Sequence, residues 1–440
     1  MIHKNDVKRT PIFVIKKPKS KSIFHITDRP WPIDRKFFGQ VFDIGYLSKY
    51  SIHRSYVRSS FQHDPLESDL EIRAAKALFS VDYSHGKKIF KIMRDEIRGH
   101  INEGELPFIV YHTQKGIDSI NGFRRKVSKD VKGIFHLHCR PDVYGFVYED
   151  RITKRGELFK ELEFDAYIAV TQKVKEDYIK YNLVPPEKVH VISNGVSLDV
   201  YKPISDEEKE MYRLKLGMNR LNTIIGYSGR VTKDKGKDLI LNIMEQLENE
   251  SDVGFLIAAS GERERNSFVK EVIEKVPRIY TEGRIKFVID ISKYTAGINA
   301  DIKLMKEIEE YLSDAIDFPD DIFGGFITKP IQSLVDVMML TSYSEAFSLV
   351  TLESLAAGTP IVVLDSGGPT ELVSSLGGVI VEKGNNTLET ARSFVDAIME
   401  INDEVRRNKK IREEYIVAVR RSGRTARDMA RMFDNLIESI

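Results

Sequence analysis

Short runs of β-branched and aliphatic residues recur along the chain, each followed by a longer stretch with helical spacing. This alternation limits the fold more than any other feature. Ser22–Ile26, Phe108–His112, Gly133–His138, Ala166–Val170 and Val189–Ile192 form one series. Thr223–Tyr227, Gly254–Ala258, Ile285–Val288, Val335–Leu340, Ile361–Leu364 and Val379–Val381 form a second. Strands buried on both faces of a parallel sheet read as continuous apolar runs, as these do. Helical patterns such as Asp238–Glu248 and Ser267–Lys275 lie between them. The expectation is an α/β chain with parallel sheets flanked by helices. At 440 residues it is long enough for two large domains. The charged segment Asp199–Met218, with Pro203, reads as the connection between them. The expected division is 1–198, a connection 199–218, a second domain 219–400 and C-terminal helices 401–440. Ala426, Met429, Met432, Phe433 and Leu436 give the last helix an apolar face suited to packing.

Charge is balanced overall but not locally. The net charge of +1 gives no global argument for binding nucleic acid. The first 40 residues carry ten Lys/Arg against three Asp/Glu, and Glu404–Arg431 carries ten against four. Asp290–Asp321 is acidic, with nine Asp/Glu against three Lys. Each segment reads as solvated surface. Basic ends sharing one face would also attract an anionic acceptor or an anionic membrane. The single Cys139 excludes an internal disulfide and a cysteine-built zinc site. The longest stretch without Asp, Glu, Lys or Arg is the eleven residues Ser354–Leu364. A membrane-spanning helix needs about 20, and the N-terminal residues lack the apolar core of a signal peptide. A cytoplasmic protein, peripheral at a membrane if the basic ends meet, is the expectation.

Two loops carry the chemistry. The strand ending at Tyr227 leads into Ser228-Gly229-Arg230-Val231-Thr232-Lys233-Asp234-Lys235-Gly236, before a helix near Asp238. Gly229 and Gly236 permit backbone conformations that other residues resist. Arg230 and Lys235 can reach one shared anion, and Arg suits bidentate phosphate contact. Residues of this kind also make an ordinary basic surface loop. The spacing matches neither G-x-x-x-x-G-K-[ST] nor G-x-G-x-x-G, which removes support for a P-loop nucleotidase or an ordinary NAD enzyme.

The second loop follows Val335–Leu340 and leads through Glu345 to a helix over Leu349–Ala357. Ser348 is placed to cap its start, and Gly358 and Pro360 to end it. Free amides at Ser348, Leu349 and Val350, with the helix dipole, form an anion site. Glu345, before that site, and Glu353, within the helix, could accept bonds from sugar hydroxyls beside a phosphate. In isolation both also read as surface carboxylates, although the small and apolar neighbours of Glu353 argue for burial.

Glu345-Ala-Phe-Ser-Leu-Val-Thr-Leu-Glu353-Ser-Leu-Ala-Ala-Gly358-Thr-Pro360 resembles the E-x7-E region of family 4 of the retaining, nucleotide-sugar-dependent glycosyltransferases with the GT-B fold. Gly229-Arg230-(x4)-Lys235-Gly236 is similar to their donor-diphosphate loop. Phe164–Thr171, Val191–Val196 and Gly377–Glu382 resemble further pieces, so the likeness covers about Gly133–Glu382 in order. It implies two Rossmann-like domains facing across a cleft, with the C-terminal helix returning to the first. It also implies that Arg230 and Lys235 hold the donor diphosphate. Glu353 would take the ribose hydroxyls, Glu345 the donor sugar, and His138 the sugar's reacting face. By itself, a strand-end histidine reads as structural.

The implied activity is hexosyl transfer from a nucleoside diphosphate sugar, UDP-sugar favoured, to a hydroxyl acceptor on a glycan, lipid or protein. No cofactor is implied. No Asp-x-Asp occurs and His and Cys do not cluster as ligands, so no metal is expected. A nucleotide-sugar epimerase, a phosphorylase and a catalytically silent partner subunit are the rival readings. The chain departs from the family at Ser348, where Gly is usual, and at Ser197, where Asp is common. The usual glycine-rich first loop has only Phe37-Phe38-Gly39-Gln40 as its nearest candidate. Residues 1–105 are largely unfamiliar, and an acidic helical segment, Asp301–Ala315, lies within Asp290–Phe326.

Overall fold

A computed structural model describes residues 21–27, 52–57, 98–99, 106–112, 131–260, 262–290 and 322–440. The chain forms two compact units, Met1–Gly195 with Ala426–Ile440, and Val196–Thr425. The expected acidic helix Asp301–Ala315, the Phe37–Gln40 loop and Lys16, Lys17 and Lys19 lie outside the described residues.

The first unit holds β1 (Lys21–Thr27), β2 (Ile52–Val57), β3 (Leu106–Tyr111), β4 (Lys132–Leu137), a small hairpin of β5 (Val147–Tyr148) and β6 (Arg151–Ile152), β7 (Ala166–Ala169) and β8 (Val189–Val191). Apart from the hairpin they form one parallel sheet in the order β2-β1-β3-β4-β7-β8. One core contains Phe108, Val110, Ile134, Ala166 and Ile168. The terminal helix Ala426–Ser439 closes it with Met429, Phe433, Leu436 and Ile437. The apolar face read from the sequence is thus the buried one. A second set of rings packs around Phe159, with Phe146 stacked at 4.5 Å and Phe135 edge-on at 5.1 Å.

The second unit holds β9 (Thr223–Arg230), β10 (Val253–Ser260), β11 (Ile285–Asp290), β12 (Phe323–Ile327), β13 (Val337–Leu340), β14 (Ile361–Leu364) and β15 (Val379–Val381). All are parallel, in the order β12-β11-β10-β9-β13-β14-β15. Its core joins the inward faces of the strands to Leu239, Ile240 and Ile243 of the helix Lys237–Gln246. Phe394, Ile398 and Ile401 of Thr387–Arg407 complete it.

Several expectations need correction. Four strands have no counterpart among the expected runs: β2 (IHRSYV) is half polar, β12 (FGGFI) is interrupted by glycines, and β5 and β6 are only two residues each. The start of Val335–Leu340 is not strand, because the helical turn Ile331–Leu334 precedes β13. The expected boundary at 401 falls inside the helix Thr387–Arg407, and only Ala426–Ile440 belongs to the first unit. The helix Lys410–Arg421 stays in the second unit, where Tyr415 lies over Gly377; a Cβ there would meet its ring at 2.5 Å.

The expected connection is itself structured. Ser205 caps the helix Asp206–Lys215, which lies in the second unit. Its Lys209 and Arg213 both bind the buried Asp336, Nζ–Oδ1 at 3.1 Å and Nη2–Oδ2 at 2.6 Å. Asp336 Oδ2 also accepts from the amide of Ile224 at 2.8 Å, so one carboxylate ties this helix to β9 and to the entry of β13. Burial alone would raise the Asp336 carboxyl, but the two cations and the amide outweigh it and hold it below its usual value. Burial pushes Lys209 down to about 8 against the pull of Asp336.

Asp336→Ala leaves two cations without their partner, and removing one member of a buried ion pair typically costs about 3–5 kcal/mol. We expect a loss of that order in urea unfolding. A carboxyl held low in the native state stabilises above its unfolded value and loses that contribution as pH falls through the native one. The wild type should therefore lose stability below about pH 4 more steeply than the variant.

Candidate functional site

The order of the second sheet reverses between β9 and β13. From β9 the chain steps outward through β10, β11 and β12, then returns to the other side of β9 for β13 to β15. The carboxyl ends of the two strands flanking such a switch point open into a crevice, the usual ligand position in open α/β sheets. The loops found there are the two singled out in the sequence.

Their backbones touch at Gly236. It has φ +74°, in the left-handed region, and a Cβ on it would lie 2.2 Å from the carbonyl oxygen of Thr341. Thr341 Oγ1 donates to the Lys235 carbonyl at 2.8 Å and the Tyr343 amide to the Asp234 carbonyl at 3.1 Å. This stitching brings the Lys235 ammonium within 2.6 Å of Glu345 Oε1, to which Ser342 Oγ also donates at 3.0 Å. Both charged side chains are about one-fifth exposed, 20% and 21%, which leaves the pair open to an incoming ligand.

Glu345 is fixed from its other side. Its amide donates to the Ser366 carbonyl at 3.0 Å, and its carbonyl accepts from the Gly368 amide at 2.9 Å. A Cβ on Gly368 would lie 2.5 Å from the Ala346 carbonyl oxygen. The residues Ser366-Gly367-Gly368 were not singled out in the sequence, although Gly-Gly-Pro at a helix start was a usable signal. Ser342 was likewise passed over.

Arg230 is placed differently from the expectation. It ends β9, paired with Ser260 of β10, and does not lie in the loop, because β10 continues alongside it. Its carbonyl accepts from the buried Tyr227 hydroxyl at 2.5 Å. Its guanidinium lies 3.5 Å from Asp234, with both side chains more than half exposed. A surface pair of this kind contributes at most about 1 kcal/mol, so the guanidinium is readily released to a better anion. The shared anion site expected of Arg230 and Lys235 is therefore not preassembled, since Lys235 is held by Glu345.

Ser348 caps the helix Leu349–Ala356 as expected, its Oγ accepting from the Thr351 amide at 3.1 Å. The amides of Leu349 and Val350 belong to the first turn, which has no partner within the helix. Glu353 is 5% exposed and Oε2 accepts from Gln332 Nε2 at 2.8 Å. It is thus a buried carboxylate positioned by a glutamine from the preceding turn, and the sequence pattern did not indicate Gln332.

His138 follows β4 in the first unit. Strand pairing sets Tyr111 beside Phe135, so the next residue, His112, falls beside His136, and His138 follows two positions on along the same face. The rings of His136 and His138 stack at 3.9 Å, and His112 Nδ1 lies 3.0 Å from His138 Nε2. Burial pushes the His138 imidazole down to about 4. The expectation that histidines do not cluster is overturned: ligand atoms of His112, His136 and His138 all lie within 4.8 Å of one another.

Gly236→Ala forces a Cβ into a left-handed residue against the Thr341 carbonyl. We expect a loss of about 1–3 kcal/mol, read as a lower melting temperature, together with weaker anion binding as Lys235 and Glu345 separate. An unchanged melting temperature would contradict the close approach.

The Glycosyltransferase Family 4 model matches residues 57–200, and the Glycosyl transferases group 1 model matches residues 322–415. An uncharacterised glycosyltransferase of Methanocaldococcus jannaschii is 27% identical over 213 residues, 47% of this chain and 44% of its own. A D-inositol 3-phosphate glycosyltransferase of Segniliparus rotundus is 24% identical over 233 residues, 53% of this chain and 44% of its own. The chain thus spans under half the length of these two curated relatives. Anabaena HepE, solved with UDP and glucose, superposes with a TM-score of 0.67 at 16% identity, over 95% of this chain and 100% of that one. WaaG, a glycosyltransferase involved in lipopolysaccharide biosynthesis, gives 0.57 at 13%, over 94% and 99%. At these identities the superpositions establish a shared fold. No helix among the described residues is long and apolar enough to cross a membrane.

Proposed function

We propose that this chain, a glycosyltransferase of the GT-B type with family 4 and group 1 regions, moves a sugar from a nucleoside diphosphate sugar to a hydroxyl acceptor with retention. The observation that carries the reading is the Lys235–Glu345 pair, held at the strand-order reversal beside the capped start of Leu349–Ala356.

An ammonium has three donors, and Glu345 uses one. Lys235 can therefore keep Glu345 in place while it binds a phosphate oxygen. Arg230 leaves its exposed contact with Asp234 to join it, and the first-turn amides of Leu349 and Val350 face the same negative charge. As the glycosidic bond breaks, the diphosphate gains negative charge and the sugar gains positive character. The cations stabilise the first and the Glu345 carboxylate the second. Glu353, with one oxygen on Gln332, offers the other to the ribose hydroxyls. Uridine is the base we favour, in keeping with the UDP held by Anabaena HepE. Because Arg230 and Lys235 supply the positive charge, the proposed reaction needs no divalent ion.

The test is a panel of nucleotide sugars with free nucleoside diphosphate as the readout, with and without a strong chelator. We expect UDP-sugar turnover that survives chelation. Arg230→Ala and Lys235→Ala should each lower kcat by about 10²–10³, with the melting temperature measured on the same samples. Wild-type turnover in both variants would place the phosphate site elsewhere. Absence of both turnover and nucleotide-sugar binding in the wild type would favour a silent partner subunit.

The two glutamates should separate kinetically. Ribose contacts are alike in ground and transition states, so Glu353→Ala should mainly raise KM for the donor. Glu345→Ala should mainly lower kcat. Each change corresponds to about 1.5–3 kcal/mol, as for a hydrogen bond to a charged group. The opposite pattern would exchange their roles.

A further inference from the structure

We propose that His112, His136 and His138 form a binding site for a divalent transition metal, with zinc the ion best suited to the donor set. The site is a product of strand register. His112 follows the carboxyl end of β3 and His136 is the penultimate residue of β4, while His138 stands two residues further on along the same face. Three imidazoles from two neighbouring strands therefore point to one place. Their ligand atoms fall within 4.8 Å of one another, and His112 Nδ1 lies 3.0 Å from His138 Nε2. Zinc with nitrogens at about 2.0–2.1 Å in tetrahedral array needs them roughly 3.3–3.5 Å apart. The observed spacings bracket that requirement, and an ion would replace the His112–His138 hydrogen bond with its own bonds to both rings.

The chemistry of the donors narrows the ion. Imidazole suits zinc, copper, nickel and iron, whereas magnesium, calcium and manganese prefer carboxylate and carbonyl oxygen. The trio contains no carboxylate. His112 and His136 are buried, at 3% and 1% exposure, while His138 retains some access to solvent. An ion could therefore enter from the side of His138. Three protein ligands leave a fourth position for water or another small donor. The proposed transfer reaction does not call for this site. If His138 also meets the donor sugar, as the family resemblance implies, an ion bound here would hold its ring away from that sugar and inhibit transfer. That consequence rests on the functional reading, whereas binding itself does not.

Binding is therefore measured without activity. The full chain, stripped with a chelator and dialysed, is titrated with zinc sulfate against a chromogenic chelator. We expect one zinc per chain at micromolar affinity or tighter, with millimolar magnesium failing to displace it. His112→Gln and His136→Gln should each weaken binding at least tenfold, and His190→Gln, a control on β8, should leave it unchanged. Zinc X-ray absorption should show three nitrogen neighbours near 2.0–2.1 Å. If either buried variant fails to fold, as judged by its melting curve, His138→Gln supplies the same comparison at a less buried position. No stoichiometric zinc in the wild type, or wild-type affinity in the folded histidine variants, would overturn the proposal.

Discussion

Strand β13 lies beside β9 rather than beside β12, and the candidate site follows from that adjacency. It sets the loop after β9 against the loop after β13, although 110 positions separate Lys235 from Glu345. The approach is close enough that only glycine fits at 236, where any Cβ would meet the Thr341 carbonyl. The conformational freedom of one residue thus permits the ion pair on which the proposed chemistry depends. Asp336 secures the same adjacency from the other end of the strands, where it joins the Ile224 amide to Lys209 and Arg213.

Burial distinguishes these two charge clusters. Asp336 and its cations are nearly enclosed, both carboxylate oxygens are bonded, and the cluster acts as a clamp. Lys235 and Glu345 retain access to solvent, and the ammonium keeps donors to spare. Their attraction holds both groups in position before any ligand arrives, which lowers the reorganisation needed when negative charge develops. Arg230 is the opposite case. Its contact with Asp234 is exposed and weak, which suits the proposed movement of its guanidinium to a phosphate.

In the first unit, backbone register again brings separate residues together. His112 and His136 are 24 positions apart in sequence, and pairing of β3 with β4 makes them neighbours. Local spacing carries only part of this: His136 and His138 share a face through their i, i+2 spacing, whereas His112 joins them only through strand pairing. The buried Arg284 is similar. It donates to the carbonyls of Leu247, Glu250 and Val253 and so holds the turn between the helix Lys237–Gln246 and β10.

What the sequence determined by itself was local: apolar runs for eleven of the strands along most of their length, the Ser348 cap, the apolar face of Ala426–Ser439, and the residues of both loops. These are legible because strand burial, capping and amphipathicity act over a few residues. The half-polar β2, the glycine-broken β12 and the helix in the expected connection do not follow from such local patterns. Tertiary pairing stabilises the two strands, and the helix is held by Lys209 and Arg213 on Asp336. Only the folded chain decided that Lys235 meets Glu345, that Gln332 positions Glu353, and that three histidines share one face. Each depends on which strands become neighbours and in what register, and that choice is made by contacts between residues far apart in the chain.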